Sequence, residues 1–125
     1  MTLSNINNKS YRKLIVYQRS KELVLLIYKT TKSFPKEELY VLVPQMRRAA
    51  ISIMANIVEG YVKSRGEFAR FIDISIGSST ELEIYLELAL ELKYLNVEGF
   101  NKSYNLLLEV KKLLYTYKRS LRSSR

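Results

Sequence analysis

Residues 45–60 read QMRRAAISIMANIVEG, and their spacing decides the fold. On a helix at about 100° per residue, Gln45, Arg48, Ser52, Asn56 and Glu59 fall within an arc of about 80°. Val43, Met46, Ala49, Ala50, Ile51, Ile53, Met54, Ile57 and Val58 cover most of the remaining circumference. A helix apolar over that much of its girth is covered on more than one side. Packing inside one helical bundle covers one side, so the other side suggests a partner subunit.

Three further amphipathic helices surround this one. Helix 1 is expected over about Lys9–Ser33, where Leu14, Tyr17, Val24, Tyr28 and Thr31 recur at helical spacing and Leu23, Leu25 and Ile27 widen the face. Pro35 disfavours helix at Phe34. Glu37 and Glu38 suit the first turn of a short element that Pro44 interrupts. Pro44 fits the first turn of helix 2, where its missing N–H costs nothing, and helix 2 then runs to about Lys63. Ser64 and Glu67 have capping-box spacing at the start of helix 3, expected over Arg65–Leu95. Ser78 and Glu81 share that spacing, so a break there is the alternative; the continuous helix is preferred, with Gly77, Ser78 and Ser79 as a small-residue patch for close approach. Asn96 caps helix 4, which runs to about Leu121 and buries Phe100, Leu107, Val110, Leu114 and Tyr117. Short loops between long helices predict an all-α, up-down-up-down antiparallel four-helix bundle. The 125 residues suit one domain, with 1–8 and 122–125 expected as flexible ends.

Folding helix 3 back on helix 2 around Ser64–Arg65 places Arg48 level with Glu81, Ser52 with Gly77, Asn56 with Asp73 and Glu59 with Arg70. The sequence therefore predicts a polar seam between the two helices, with ion pairs at Arg48–Glu81 and Glu59–Arg70. The rival reading has Arg48, Asn56 and Glu59 lining a ligand or nucleic-acid site. Arg47 lies opposite the seam among Tyr40, Val43, Ile51 and Met54. A subunit-interface ion pair would satisfy it; a snorkelling surface arginine is the alternative.

Composition restricts the chemistry. There is no Cys and no His, so thiolate nucleophiles, cysteine zinc sites and the commonest acid–base group are all missing. No Gly-rich phosphate loop is present. The chain reads as non-enzymatic, with no cofactor and no metal. No apolar run approaches a membrane span, and the N-terminus lacks the apolar core of a signal peptide, so a cytoplasmic protein is expected. Membrane-surface binding is disfavoured because the apolar faces are needed for the bundle.

The net charge is +9, unevenly placed: residues 1–65 carry 12 basic and 4 acidic side chains, 66–98 carry 2 and 7, and 99–125 carry 7 and 1. A cationic protein attracts polyanions, and nucleic acid is the first candidate. Lys9, Arg12, Lys13 and Arg19 begin helix 1, and Lys111, Lys112, Lys118, Arg119 and Arg122 lie towards the end of helix 4. An up-down-up-down bundle puts both groups at one end, where they would merge into one patch. Any of Tyr11, Tyr115 and Tyr117 left exposed there would stack on unpaired bases. The alternative is that the basic tail merely complements the helix dipole.

The strings FPKEELYVLVPQMRRAAISIMANIVEG and EFARFIDISIGSSTELEIYLELALELKYL resemble a four-helix-bundle family that includes the 23S rRNA intervening sequence proteins. The ordered residues Phe34-Pro35, Glu38, Gln45, Arg47-Arg48-Ala49, Ser52-Ile53, Asn56-Ile57, Glu59-Gly60, Gly77-Ser78 and Glu81 carry the resemblance, which extends from about Tyr17 to Leu95 and more loosely into helix 4. Pro44 departs from it, since relatives are expected to have a small polar residue there. The resemblance implies a ring-like homopentamer. Through the related accessory variability determinant proteins of diversity-generating retroelements, it also implies a basic surface that binds nucleic acid and a reverse transcriptase. Two functions follow: an oligomeric nucleic-acid-binding accessory protein, or a scaffold whose main partner is another protein, such as a reverse transcriptase. Neither includes a catalytic set.

Overall fold

The computed structural model describes residues 10–123. Four helices account for most of them: α1 (Ile15–Thr31), α2 (Leu42–Tyr61), α3 (Arg65–Glu91) and α4 (Val97–Ser123). Each junction has a local cause. Ser64 has extended backbone and its hydroxyl accepts the Glu67 N–H at 3.3 Å, so the predicted cap starts α3. Asn96 does the same for α4, its Oδ1 accepting the Gly99 N–H at 2.7 Å. No break occurs at Ser78.

Two helix limits differ from expectation. Instead of one helix from Lys9, a short 3-10 turn at Ser10–Lys13 precedes α1, and Leu14 between them is extended (φ −71°, ψ 128°). That kink lets Tyr11 pack edge-on against Tyr17, with ring centroids 5.3 Å apart. At its other limit α3 stops at Glu91, short of Leu95. Lys93 adopts φ 65°, Lys93 N–H donates to Leu90 O at 3.0 Å and Tyr94 N–H to Ala89 O at 2.9 Å. These paired bonds form a Schellman stop, with lysine where glycine is commonest.

The segment between α1 and α2 forms the expected short turn, Lys36–Glu38. Glu38 then holds that end of the molecule together. One carboxylate oxygen accepts the Leu42 N–H at the start of α2 (3.3 Å) and the other accepts the Tyr94 hydroxyl (2.7 Å). Accepting that proton opposes ionisation of the phenol, whose pKa is raised. Phe34 is buried beside Tyr94, with centroids 5.4 Å apart.

The helices pack α1 against α2, α2 against α3, α3 against α4 and α4 against α1. This is an antiparallel four-helix arrangement, and the described residues contain no strand. Leu23, Ile27, Met46, Ile53, Ile57, Ile72, Leu82, Leu86, Leu107, Val110 and Leu114 form the fully buried centre. Phe100 and Tyr117 are only partly buried. Leu25 and Tyr28, expected on the buried face of helix 1, are exposed. The buried face is Val16, Tyr17, Ser20, Leu23, Val24, Ile27 and Thr31; Ser20 and Thr31 can be buried because their hydroxyls donate to the carbonyls of Val16 and Ile27. No helix among the described residues is long and apolar enough to cross a membrane.

The α2–α3 seam exists, with different bonds. Its centre is hydroxyl chemistry: Ser52 Oγ lies 2.8 Å from Ser78 Oγ, and Ser75 Oγ donates to Ile53 O at 2.9 Å. Asn56 turns back to Ser52 O instead of reaching Asp73. The expected ion pairs are absent. Arg48 donates to Gln45, while Glu81 accepts the Tyr85 hydroxyl. Glu59 and Arg70 are both exposed, and the Arg70 guanidinium lies over the Phe71 ring at 5.3 Å. Asp73 pairs across the other side of α3, with Lys118. Level matching predicted the heights correctly, but outward-pointing charges at helix edges find nearer local partners. Close backbone approach occurs at Gly60, where an added Cβ would sit 2.7 Å from Phe71 Cβ; Gly77 faces open space.

Candidate nucleic-acid interface

The start of α1 and the end of α4 do lie together. Lys13, Leu14, Ile15 and Val16 share one surface depression with Leu113, Thr116, Tyr117 and Ser120. The turn into α3 joins them, with Arg65 Nη2 donating to Ser120 O at 3.2 Å. Arg65 thereby satisfies a carbonyl in the last turn of α4. Sequence reasoning missed this contact, since nothing in the spacing of Arg65 and Ser120 announces it.

The nine cations expected to form a patch separate into two groups, and Lys9 lies outside the described residues. Four are occupied internally. Arg12 donates to the hydroxyls of Tyr17 (2.8 Å) and Tyr11 (2.9 Å). Its buried Nε has no partner among the described residues. Arg19 grips the Glu109 carboxylate with two nitrogens, one at 2.9 Å, and also holds Glu22 at 2.6 Å. The hydrogen bond from Arg19 lowers the Glu109 pKa despite partial desolvation. Lys111 bonds Thr80 at 2.9 Å and Glu83 at 3.4 Å. Lys118 contacts Asp73 at 2.5 Å.

Lys13, Lys112, Arg119 and Arg122 are exposed, and no ion pair engages them among the described residues. Arg119 makes a weak hydrogen bond to Thr116 at 3.3 Å. Lys112, Arg119 and Arg122 lie on one side of α4, at i, i+7 and i+10. Tyr115 sits among them and is 44% exposed. Tyr11 and Tyr117 are instead tied into an aromatic chain: Tyr11–Tyr61 at 6.4 Å, Tyr61–Phe68 at 5.9 Å and Phe68–Tyr117 at 5.3 Å. Of the three tyrosines considered, Tyr115 is the one presented to solvent.

Arg47 is satisfied within its own chain. Its Nε donates to Thr31 Oγ1 at 3.0 Å, and its guanidinium lies over the Tyr28 ring at 4.4 Å. No carboxylate is needed to hold it, although none neutralises its charge among the described residues. Those residues also contain no cluster of three or more His, Cys, Asp or Glu side chains placed to hold a metal.

Comparison with known proteins agrees with the fold. A crystal structure of a protein of unknown function from the S23 ribosomal protein family of Bacteroides thetaiotaomicron superposes with a TM-score of 0.75 at 29% identity, covering 83% of this chain and 98% of that one. No curated protein matches the chain at a significant level. Residues 12–116 match the 23S rRNA-intervening sequence protein family, a range that covers α1 to α3 and most of α4. The chain belongs to the 23S rRNA-intervening sequence protein family.

Proposed function

We propose that this chain is a non-enzymatic, homo-oligomeric helical protein that binds RNA or DNA through the outer face of α4. One observation carries the reading: Lys112, Arg119 and Arg122 share a solvent face around exposed Tyr115, with no carboxylate pairing them among the described residues. Three cations track a phosphate backbone, and an exposed ring among them offers a stacking platform for an unpaired base. The net charge of +9 adds long-range attraction. Lys13, at the same end of the bundle, extends the surface. Arg12, Arg19, Lys111 and Lys118 position the helices that present it.

The test is fluorescence anisotropy with labelled single-stranded and duplex RNA and DNA at two salt concentrations. Binding is expected to be weakly sequence-specific and to weaken as salt rises. For single strands, removing Lys112, Arg119 and Arg122 together should lower the log–log salt slope by about 2, given a slope near 0.7 per neutralised phosphate. Tyr115→Ala should weaken single strands more than duplexes. If the wild type fails to bind even at low salt, the reading fails and a scaffold for a protein partner replaces it. Undiminished binding by the triple variant would show that α4 is the wrong surface.

A further inference from the structure

We infer that the depression between the start of α1 and the end of α4 is a slot for one unpaired nucleobase, with Lys13 and Arg119 holding the phosphates on its two sides. The inference rests on the nucleic-acid reading above and adds where a base is seated and which strands can use the seat.

The walls of the slot are mostly apolar. Leu14, Ile15 and Val16 form one side and Leu113, Thr116 and Tyr117 the other, around a space of about 310 Å³. That is the lower end of the ~300–1,000 Å³ range of small-molecule sites and suits a single base. Ile15 is 61% exposed at the rim, so its side of the slot is open to a ligand. Tyr117 is held from behind by Phe68, with ring centroids 5.3 Å apart. A wall that is already fixed loses little freedom when something binds against it. The lower end is closed by an ion pair between the two helices: Arg19, one turn beyond Ile15, grips Glu109, one turn before Leu113. The same pair neutralises a carboxylate that would repel a phosphate.

The rim selects the occupant. Lys13 lines the α1 side, exposed and without an ion pair among the described residues. Arg119 stands on the α4 side, where its Nη2 donates to the Thr116 hydroxyl at 3.3 Å and no carboxylate engages it among the described residues. An apolar cleft between two separate cations fits a flat apolar body with negative charge on both sides. A fatty or aromatic acid has one anionic end. A nucleotide inside a strand has a phosphate on each side of its base. The Thr116 hydroxyl accepts from Arg119 and keeps its own proton for an acceptor on the base edge.

The slot borders the cationic stripe. On the α4 wheel Thr116 lies about 40° from Lys112 and about 60° from Arg119, on the side away from Tyr115. A strand following the stripe therefore passes the mouth of the slot, with Tyr115 on one flank and the slot on the other. A duplex keeps its bases stacked and paired, so it reaches the stripe through phosphates and leaves the slot empty. Single strands gain a contact that duplexes do not, and this contact depends on the base and not on salt.

Fluorescence anisotropy with labelled oligothymidine and with an abasic strand of equal length tests this. Both proteins compared carry Tyr115→Ala, which removes the outer stacking ring. The Tyr115→Ala chain should hold oligothymidine about tenfold more tightly than the abasic strand, as one stacked base provides. Adding Thr116→Leu and Ser120→Leu fills the slot at two exposed positions without changing charge, and circular dichroism checks that helicity survives. The filled protein should bind both strands with the abasic affinity, at an unchanged salt slope, and should bind duplex as before. If no strand binds even at low salt, the nucleic-acid reading itself fails. Equal affinity of the Tyr115→Ala chain for the two strands, or a preference that survives filling, overturns the slot alone. A second measurement needs no substitution. Wild-type chain irradiated with oligothymidine carrying 5-iodouracil should crosslink at Tyr117 as well as at Tyr115, located by mass spectrometry of the peptides. Crosslinks at Tyr115 alone, or at neither tyrosine, overturn the assignment.

Discussion

Replacing Gly60 by alanine sets two effects of opposite sign against each other. In a helix interior, alanine is favoured over glycine by about 0.5–1 kcal/mol. At Gly60 the new methyl would sit 2.7 Å from Phe71 Cβ and 2.8 Å from Phe68 Cδ1. Phe71 Cβ is fixed to the α3 backbone, so no rotamer change clears it. Phe68 is buried between Tyr61 and Tyr117 and has little room to swing. Relief therefore requires α2 and α3 to separate, and overpacking of this kind costs about 1–3 kcal/mol. The expected net effect is destabilisation of about 1–2 kcal/mol. With a urea slope of about 1–3 kcal/mol per molar, the unfolding midpoint should fall by roughly 0.5–1 M. The measurement is made at one protomer concentration throughout, because the proposed self-association would make stability concentration-dependent. Gly77→Ala is the control: nothing lies within 4 Å of its added methyl, and it should stabilise by about 0.5–1 kcal/mol. A Gly60→Ala midpoint equal to or above wild type would refute the close-approach argument.

Two double-mutant cycles separate the observed ion pairs from the expected one. Asp73→Ala with Lys118→Ala should show a coupling of about 0.2–1 kcal/mol, because the pair is partly exposed. Arg48→Ala with Glu81→Ala should be additive within about 0.3–0.5 kcal/mol; a larger coupling would restore the seam as first read. Acid should also expose the Arg19–Glu109 clamp. The Glu109 pKa is lowered in the fold, so its contribution is present above the ordinary carboxylate value and is lost as pH falls through the lowered one. The stability gap between wild type and Arg19→Ala should therefore shrink on acidification, measured by urea titration at each pH, and a constant gap would contradict the clamp.

Helix number, order and continuity were legible because they depend on local signals: the Ser64 and Asn96 caps, Pro44 in a first turn, and apolar spacing around Met46, Ile53 and Ile57. The α2–α3 register was legible too, since a tight turn between antiparallel helices fixes height. Which side chains bond at a given height was not. Arg48 and Glu81 stand level, but each has a partner one turn away on its own helix. The start of α1 and the end of α4 do lie together, yet the availability of their basic residues depended on Glu109, Asp73 and Glu83, contributed by neighbouring helices far away in sequence. The kink at Leu14 and the left-handed Lys93 escaped notice because neither residue type marks such a conformation.

Much of the string that carried the family resemblance has a use inside the protomer. Phe34 and Glu38 close one end, Ser52 and Ser78 join α2 to α3, Gly60 lets Phe68 and Phe71 approach, and Arg47 ties α2 to Thr31 of α1. The remaining features point outward on different sides. Exposed Leu39, Tyr40 and Val41 precede α2, exposed Ile84 and Leu88 lie on α3, and Lys112, Tyr115, Arg119 and Arg122 lie on α4. The proposed homo-oligomer, if it leaves α4 uncovered, would repeat that stripe once per copy. Each α4 stripe offers only three cations, a weak site alone at moderate salt. Repetition in an assembly converts later contacts with one strand into intramolecular events and raises avidity without any new contact.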